Sequence, residues 1–122
     1  MTEVFRPIEE LAPIELGAGL VARAVEGERM TFAVVDLEPG AVLPEHQHEN
    51  EQIGLIVKGE MELRVGGETR LLRPGDTYVI PGNVPHTAQA GGAGASVVDV
   101  FTPRRADWEA RPRRNPSKPD WP

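Results

Sequence analysis

The sequence predicts an all-β domain, a sandwich or barrel of many short strands. Three observations carry that expectation. Glycine and proline number 13 and 12 in 122 residues, a density that cuts the chain too finely for long helices. Turn signals recur every eight to twelve residues, the spacing of antiparallel strand-and-turn architectures. Met61-Glu62-Leu63-Arg64-Val65 alternates apolar and charged side chains, which a strand converts into one dry face and one wet face.

Taken in order, residues 1–13 carry a few apolar side chains around Pro7 and Pro13 and read as an irregular arm or short edge strand. Ile14 to Val25 is apolar and small, Glu26-Gly27-Glu28-Arg29 makes a hairpin turn, and Met30 to Leu37 forms a strand that Pro39-Gly40 stops. Ile53 to Lys58 is a strand, Gly59-Glu60 turns it into Met61–Val65, and Gly66-Gly67-Glu68 turns again. Leu71-Leu72 is a short strand closed by Arg73-Pro74-Gly75-Asp76, and Tyr78-Val79-Ile80 runs into Pro81-Gly82-Asn83. Ala90-Gly91-Gly92-Ala93-Gly94 reads as a flexible loop with nothing to bury, and Val97 to Phe101 is the last clear strand. Beyond Pro103 four prolines break any long helix, although Arg104 to Arg111 has room for a short helical turn. These signals divide the chain into an arm over 1–13, a barrel domain over 14–103 and a basic Pro/Arg-rich tail over 104–122.

The length fits a single domain, and 39% hydrophobic against 26% charged residues allows one core. No stretch approaches the roughly 18 uncharged apolar residues of a spanning helix. The start, Met1 to Pro7, lacks the basic-then-apolar layout of a secretory signal, so a cytoplasmic location is expected. The absence of cysteine excludes disulfides, thiolate nucleophiles and Cys-based zinc sites. Net charge is −6, and it is unevenly spread: residues 104–122 hold six Lys/Arg against three Asp/Glu, the remainder seven against sixteen. An acidic body argues against nucleic-acid binding. The basic tail reads as a solvated or partner-docked terminus.

The chain's three histidines are His46, His48 and His86. His46-Gln47-His48 puts two imidazoles at i and i+2, hence on one face of an extended segment. Such a pair can grip one ion from one side. Gln52 shares their parity and Glu51 does not, and His86 follows the rigid Pro81-Gly82-Asn83-Val84-Pro85 turn. No serine stands in a nucleophile elbow, and the Gly91–Gly94 segment lacks the Lys-Ser/Thr of a phosphate loop.

A wider pattern resembles the cupins. Gly40, five residues, His46-x-His48, three residues, Gln52, six residues and Gly59 matches their first motif, with Gln at the usual Glu position. Gly75, five residues, Pro81-x-Asn83, two residues and His86 resembles their second, with Asn83 for Gly and Ala90 for the final Asn. Asn tolerates the left-handed conformation that Gly supplies. The segment from His46 to Gly54, the Pro81–His86 turn and the ending Asp99 to Trp108 narrow the resemblance to the small pectin-degradation cupins of the KdgF type, which open the ring of unsaturated uronates. The resemblance implies a conserved jelly-roll barrel, with His46, His48, Gln52 and His86 as metal ligands. It also implies that Asp99, Phe101 and Arg105 contact or process a sugar acid.

Three imidazoles and one amide oxygen are neutral ligands, so the charge of a divalent metal would stay uncompensated and its Lewis acidity strong. Mn, Fe, Co, Ni, Cu and Zn all suit such a set. Asp99 interrupts the otherwise apolar run Val97 to Phe101, a costly place for a carboxylate that is neither paired nor functional. It is the candidate proton shuttle. Arg105 is a candidate clamp for a substrate carboxylate, and Phe101 and Tyr78 are candidate substrate contacts. A metal-dependent dioxygenase and a non-catalytic small-molecule binder are the alternatives to uronate ring opening. Apolar residues on both faces of Val97–Phe101 imply that a partner subunit or the terminal arm covers one of them, and a homodimer is expected.

Overall fold

A computed structural model describes residues 3–122; of the expected arm, Met1 and Thr2 lie outside the described residues. The chain forms β1 (Ile14–Gly17), β2 (Leu20–Glu26), β3 (Thr31–Leu37), β4 (Val42–His46), β5 (Glu51–Val65), β6 (Glu68–Leu72), β7 (Thr77–Ile80) and β8 (His86–Thr102), with 3-10 turns at Ile8–Glu10 and Ala106–Ala110. All eight strands join one antiparallel sheet rolled into a jelly-roll barrel, in the order β1-β2-β3-β8-β5-β6, with β4 on β8 and β7 on β5. The all-β expectation holds. Among the described residues no helix is long and apolar enough to cross a membrane.

The roll is made by two long strands that each serve two partners. The first half of β8 lies between β4 and the second half of β5, while its second half lies between β3 and the first half of β5. At the change-over the register steps from Gly59↔Ala95 to Met61↔Ala90, so residues 91–94 bulge opposite Glu60 alone. Gly59 and Gly94 have φ of 71° and 77°, and a Cβ on Gly59 would strike the Gly94 carbonyl. Only glycine fits both demands.

This geometry corrects two expectations. Gly59-Glu60 does not turn the chain, because β5 runs through it as one strand. Ala90–Gly94 is not a flexible loop with nothing to bury, since it is the bulge inside β8 and Ala90 is 4% exposed. Ile14–Val25 also splits, at a tight hairpin between Gly17 and Gly19. Strand β4 had no periodic signal, because its face carries the site rather than the core. The hairpins at Gly27 and Gly66 form as the turn residues predict.

The core is the barrel interior, where Ile56, Ile80, Leu20, Leu37, Met61 and Val97 are buried; each fully buried aliphatic side chain contributes about 1.5–3 kcal/mol. The tail packs on the chain's own sheet. Pro112 and Arg114 exchange backbone hydrogen bonds with Glu15 and Pro13. Buried Arg23 pairs with Asp36 at 3.0 Å and also donates to Ser117, while Ser96 and the Asp120 amide donate to Asp36. That network closes part of the outer face. Farther along the same face a row of apolar side chains in register across five strands, Val25, Phe32, Val100, Ile53 and Val79, is open or half-open to solvent.

Candidate metal centre and substrate cavity

His46 ends β4 and His86 begins β8, and the two are direct cross-strand partners. His48 stands in the turn between β4 and β5. The turn before His86 docks beneath it: the Asn83 amide donates to the His48 carbonyl at 2.7 Å, and Asn83 sits at φ 62°. The left-handed residue expected there is present, and it folds the second motif onto the first.

The three imidazoles converge, with ring centroids 4.2–5.6 Å apart and ligand atoms within 4.8 Å of one another. Each Nδ1 faces a backbone carbonyl: His46 that of Pro44 at 2.9 Å, His48 that of Asn50 at 3.0 Å, and His86 that of Val84 at 2.9 Å. A carbonyl can only accept, so Nδ1 carries the hydrogen and Nε2 holds a free lone pair. The Nε2 atoms of His48 and His86 are buried with no hydrogen-bond partner, a costly condition that a cation would relieve. Burial holds the His86 pKa down at about 4, and burial followed by the Arg105 charge lowers that of His48. Both rings are therefore neutral near pH 7, the form a metal needs. The donor set fits a divalent metal.

Gln52 opens β5, is 8% exposed and lines the same cavity, while Glu51 beside it is exposed, as the parity argument expects. Asp99 is 4% exposed. It occupies a cross-strand row with Gly54 of β5 and Tyr78 of β7. Because Gly54 has no side chain, the phenol of Tyr78 reaches across it and donates to Asp99 Oδ1 at 2.5 Å. Burial pushes the Asp99 carboxyl up to about 6, opposed by its bonds to Tyr78 and Gln52 and by the Arg105 charge. Burial, then the Asp99 charge, holds the Tyr78 phenol well above its ordinary range.

Arg105 is 8% exposed, not the solvated side chain that its neighbour Arg104 would suggest. Its guanidinium lies 4.9 Å from the Phe101 ring centre and 4.6 Å from that of Trp108, cation–π distances. Asp107 grips the Nε and one terminal nitrogen at 3.1 and 3.0 Å, and the Arg105 bond holds the Asp107 carboxyl below the usual range. A cavity of about 430 Å³ is lined by His46, His48, Gln52, Asp99, Phe101, Arg105, Asp107, Trp108 and Arg111. Tyr78 and His86 border a smaller void of about 50 Å³ that Gln52 and Asp99 also line. All eight candidate residues are thus gathered at one end of the barrel. Asp107, Gly54 and Arg111 escaped the sequence reading: two are charged residues in a basic tail, and the third matters through an absent side chain.

Comparison with known proteins agrees with this architecture. Residues 33–101 match the Cupin domain family, and the chain belongs to that family. It is 30% identical over 96 residues to the pectin degradation protein KdgF of Dickeya dadantii strain 3937, covering 77% of this chain and 87% of that protein. Among solved structures, KdgF from a Halomonas species superposes with a TM-score of 0.79 at 35% identity, over 87% of this chain and 98% of that one. An RmlC-like cupin from Shewanella frigidimarina NCIMB 400 superposes with a TM-score of 0.81 at 27% identity, over 88% and 96%.

Proposed function

We propose that this protein is a metal-dependent enzyme that opens the ring of small unsaturated uronates, the sugar acids that lyases release from pectin or alginate. The observation that carries the reading is the shared cavity. A three-imidazole group with inward lone pairs, a buried carboxyl tuned to about 6 and a fixed guanidinium all line or border it. The likeness to KdgF proteins supports the same reading.

A divalent transition metal, held by His46, His48, His86 and the Gln52 amide oxygen, would polarise substrate oxygens as a Lewis acid. Arg105 keeps one edge of its guanidinium outside the Asp107 pair and offers it to the substrate carboxylate. Asp99 removes the proton of the anomeric hydroxyl. Those O–H electrons form the carbonyl as the bond from the anomeric carbon to the ring oxygen breaks. The ring oxygen leaves with the bonding pair as an enolate, and the proton on Asp99 returns to carbon as the enolate becomes a ketone. A carboxyl near pKa 6 is matched to both transfers. Phe101 supports Arg105 from below, and Tyr78 orients Asp99. A homodimer closed over the open row from Val25 to Val79 completes the proposal, on the strength of the apolar side chains exposed there.

The test is direct. Metal-loaded protein mixed with an unsaturated monouronate should accelerate loss of the ring double bond's ultraviolet absorbance. An uncatalysed rate with each of Mn, Fe, Co, Ni, Cu and Zn would sink the assignment.

A further inference from the structure

The cavity holds two guanidinium groups in unlike electrostatic states. Arg105 is already matched by Asp107 on one full edge, so the pair presents hydrogen-bond donors with little net charge. Arg111, at the end of the Ala106–Ala110 turn, also lines the cavity, yet among the described residues it forms no ion pair. Its terminal NH1 nitrogen donates to the Glu15 and Leu16 carbonyls at 3.4 and 3.2 Å, which fixes the group against β1 without neutralising it. The nearby Glu15 carboxylate is engaged by Arg114 at 2.9 Å. Glu45 also lines the cavity and, among the described residues, is not paired with Arg111. The molecule as a whole carries −6 and repels an anionic ligand at long range.

We propose that Arg111 is the charge-selecting residue of the cavity. It draws a carboxylate-bearing sugar to the mouth and discriminates it from the neutral sugar, while Arg105 sets its orientation through directed hydrogen bonds. The proposal rests on the sugar-acid reading above and adds a division of labour to it. A buried, pre-paired arginine contributes geometry. An unpaired one contributes attraction.

The test is equilibrium binding of D-galacturonate and D-galactose, which have the same ring, by calorimetry on the metal-loaded protein at low salt. Wild type should prefer the uronate. Arg111→Gln should weaken uronate binding by about tenfold, the scale of one lost charged contact, and leave galactose binding unchanged. Arg111→Lys keeps the charge and should retain the preference, which separates attraction from the bonds to β1. Arg113→Gln, outside the cavity lining, is the control and should behave as wild type. If Arg111→Gln keeps the full preference, whether the metal's own charge or Arg105 supplies it, this assignment is wrong and the sugar-acid reading stands. If wild type binds both sugars equally, the sugar-acid reading falls and this inference with it.

Discussion

The Tyr78 hydroxyl donates to Asp99 Oδ1 across a notch that exists because residue 54 is glycine. One contact therefore joins three strands and fixes the carboxylate proposed to move the proton. The bond favours the ionised form of Asp99 and so lowers its pKa from where burial alone would put it. Tyr78→Phe should shift the rising limb of the kcat/KM profile to higher pH, and an unmoved limb would separate Tyr78 from the reaction.

Gly54→Ala places a methyl group against both the Tyr78 phenol and the Asp99 carboxylate. Overpacking of this kind costs about 1–3 kcal/mol. Denaturant titration should show that loss, accompanied by reduced turnover.

Asp99→Asn keeps the shape and removes the base, so turnover should fall by about 10²–10⁴ with metal content unchanged. The same variant reports on stability. The folded carboxyl, raised to about 6 from 3.8 by burial, holds its proton at pH values where the unfolded chain has lost it. Its stabilising effect is complete below pH 3.8 and disappears as pH rises through about 6. Across that window metal-free wild type should lose on the order of 3 kcal/mol relative to Asp99→Asn. Denaturation curves at several pH values measure the difference directly.

Divalent metal should raise the melting temperature, since binding at a hundred times Kd stabilises by about 2.7 kcal/mol. The double variant His46→Ala/His48→Ala should show neither the rise nor bound metal. Retained metal in that variant would mean that the ion sits elsewhere.

The exposed pair Ile53 and Val79 forms one end of the row on the outer face, at 51% and 56% exposure. Light scattering should give a dimer mass at micromolar concentration, and Ile53→Lys/Val79→Lys should give a monomer. A wild-type monomer would remove the homodimer from the proposal.

Much of the site was legible in the sequence because its geometry is local. His46 and His48 share a face through strand parity, and Pro81 to Pro85 constrains where His86 begins. Arg105 was harder to judge: its burial depends on Asp107, Phe101 and Trp108 coming together after the last strand, and no periodicity encodes that. The misread Gly59 and Ala90–Gly94 segments share one cause. Glycine marks both a turn and a bulge, and only the pairing partner decides which. The tail's docking was hidden for a related reason, since Ser117 and Asp120 meet Arg23 and Asp36 more than eighty residues away in sequence.

Because β5 and β8 each cross from one half of the roll to the other, neither half can be assembled alone. The pairing of Gln52 with Phe101 and that of Val65 with His86 belong to the same two strands, and every pair that β5 and β8 make with each other joins distant parts of the chain. Such a topology folds slowly, through late closure of non-local pairs. It should also melt as a single cooperative unit, without a surviving subdomain. A cut at the bulge would therefore yield two fragments that are each unstructured and regain shape only when mixed.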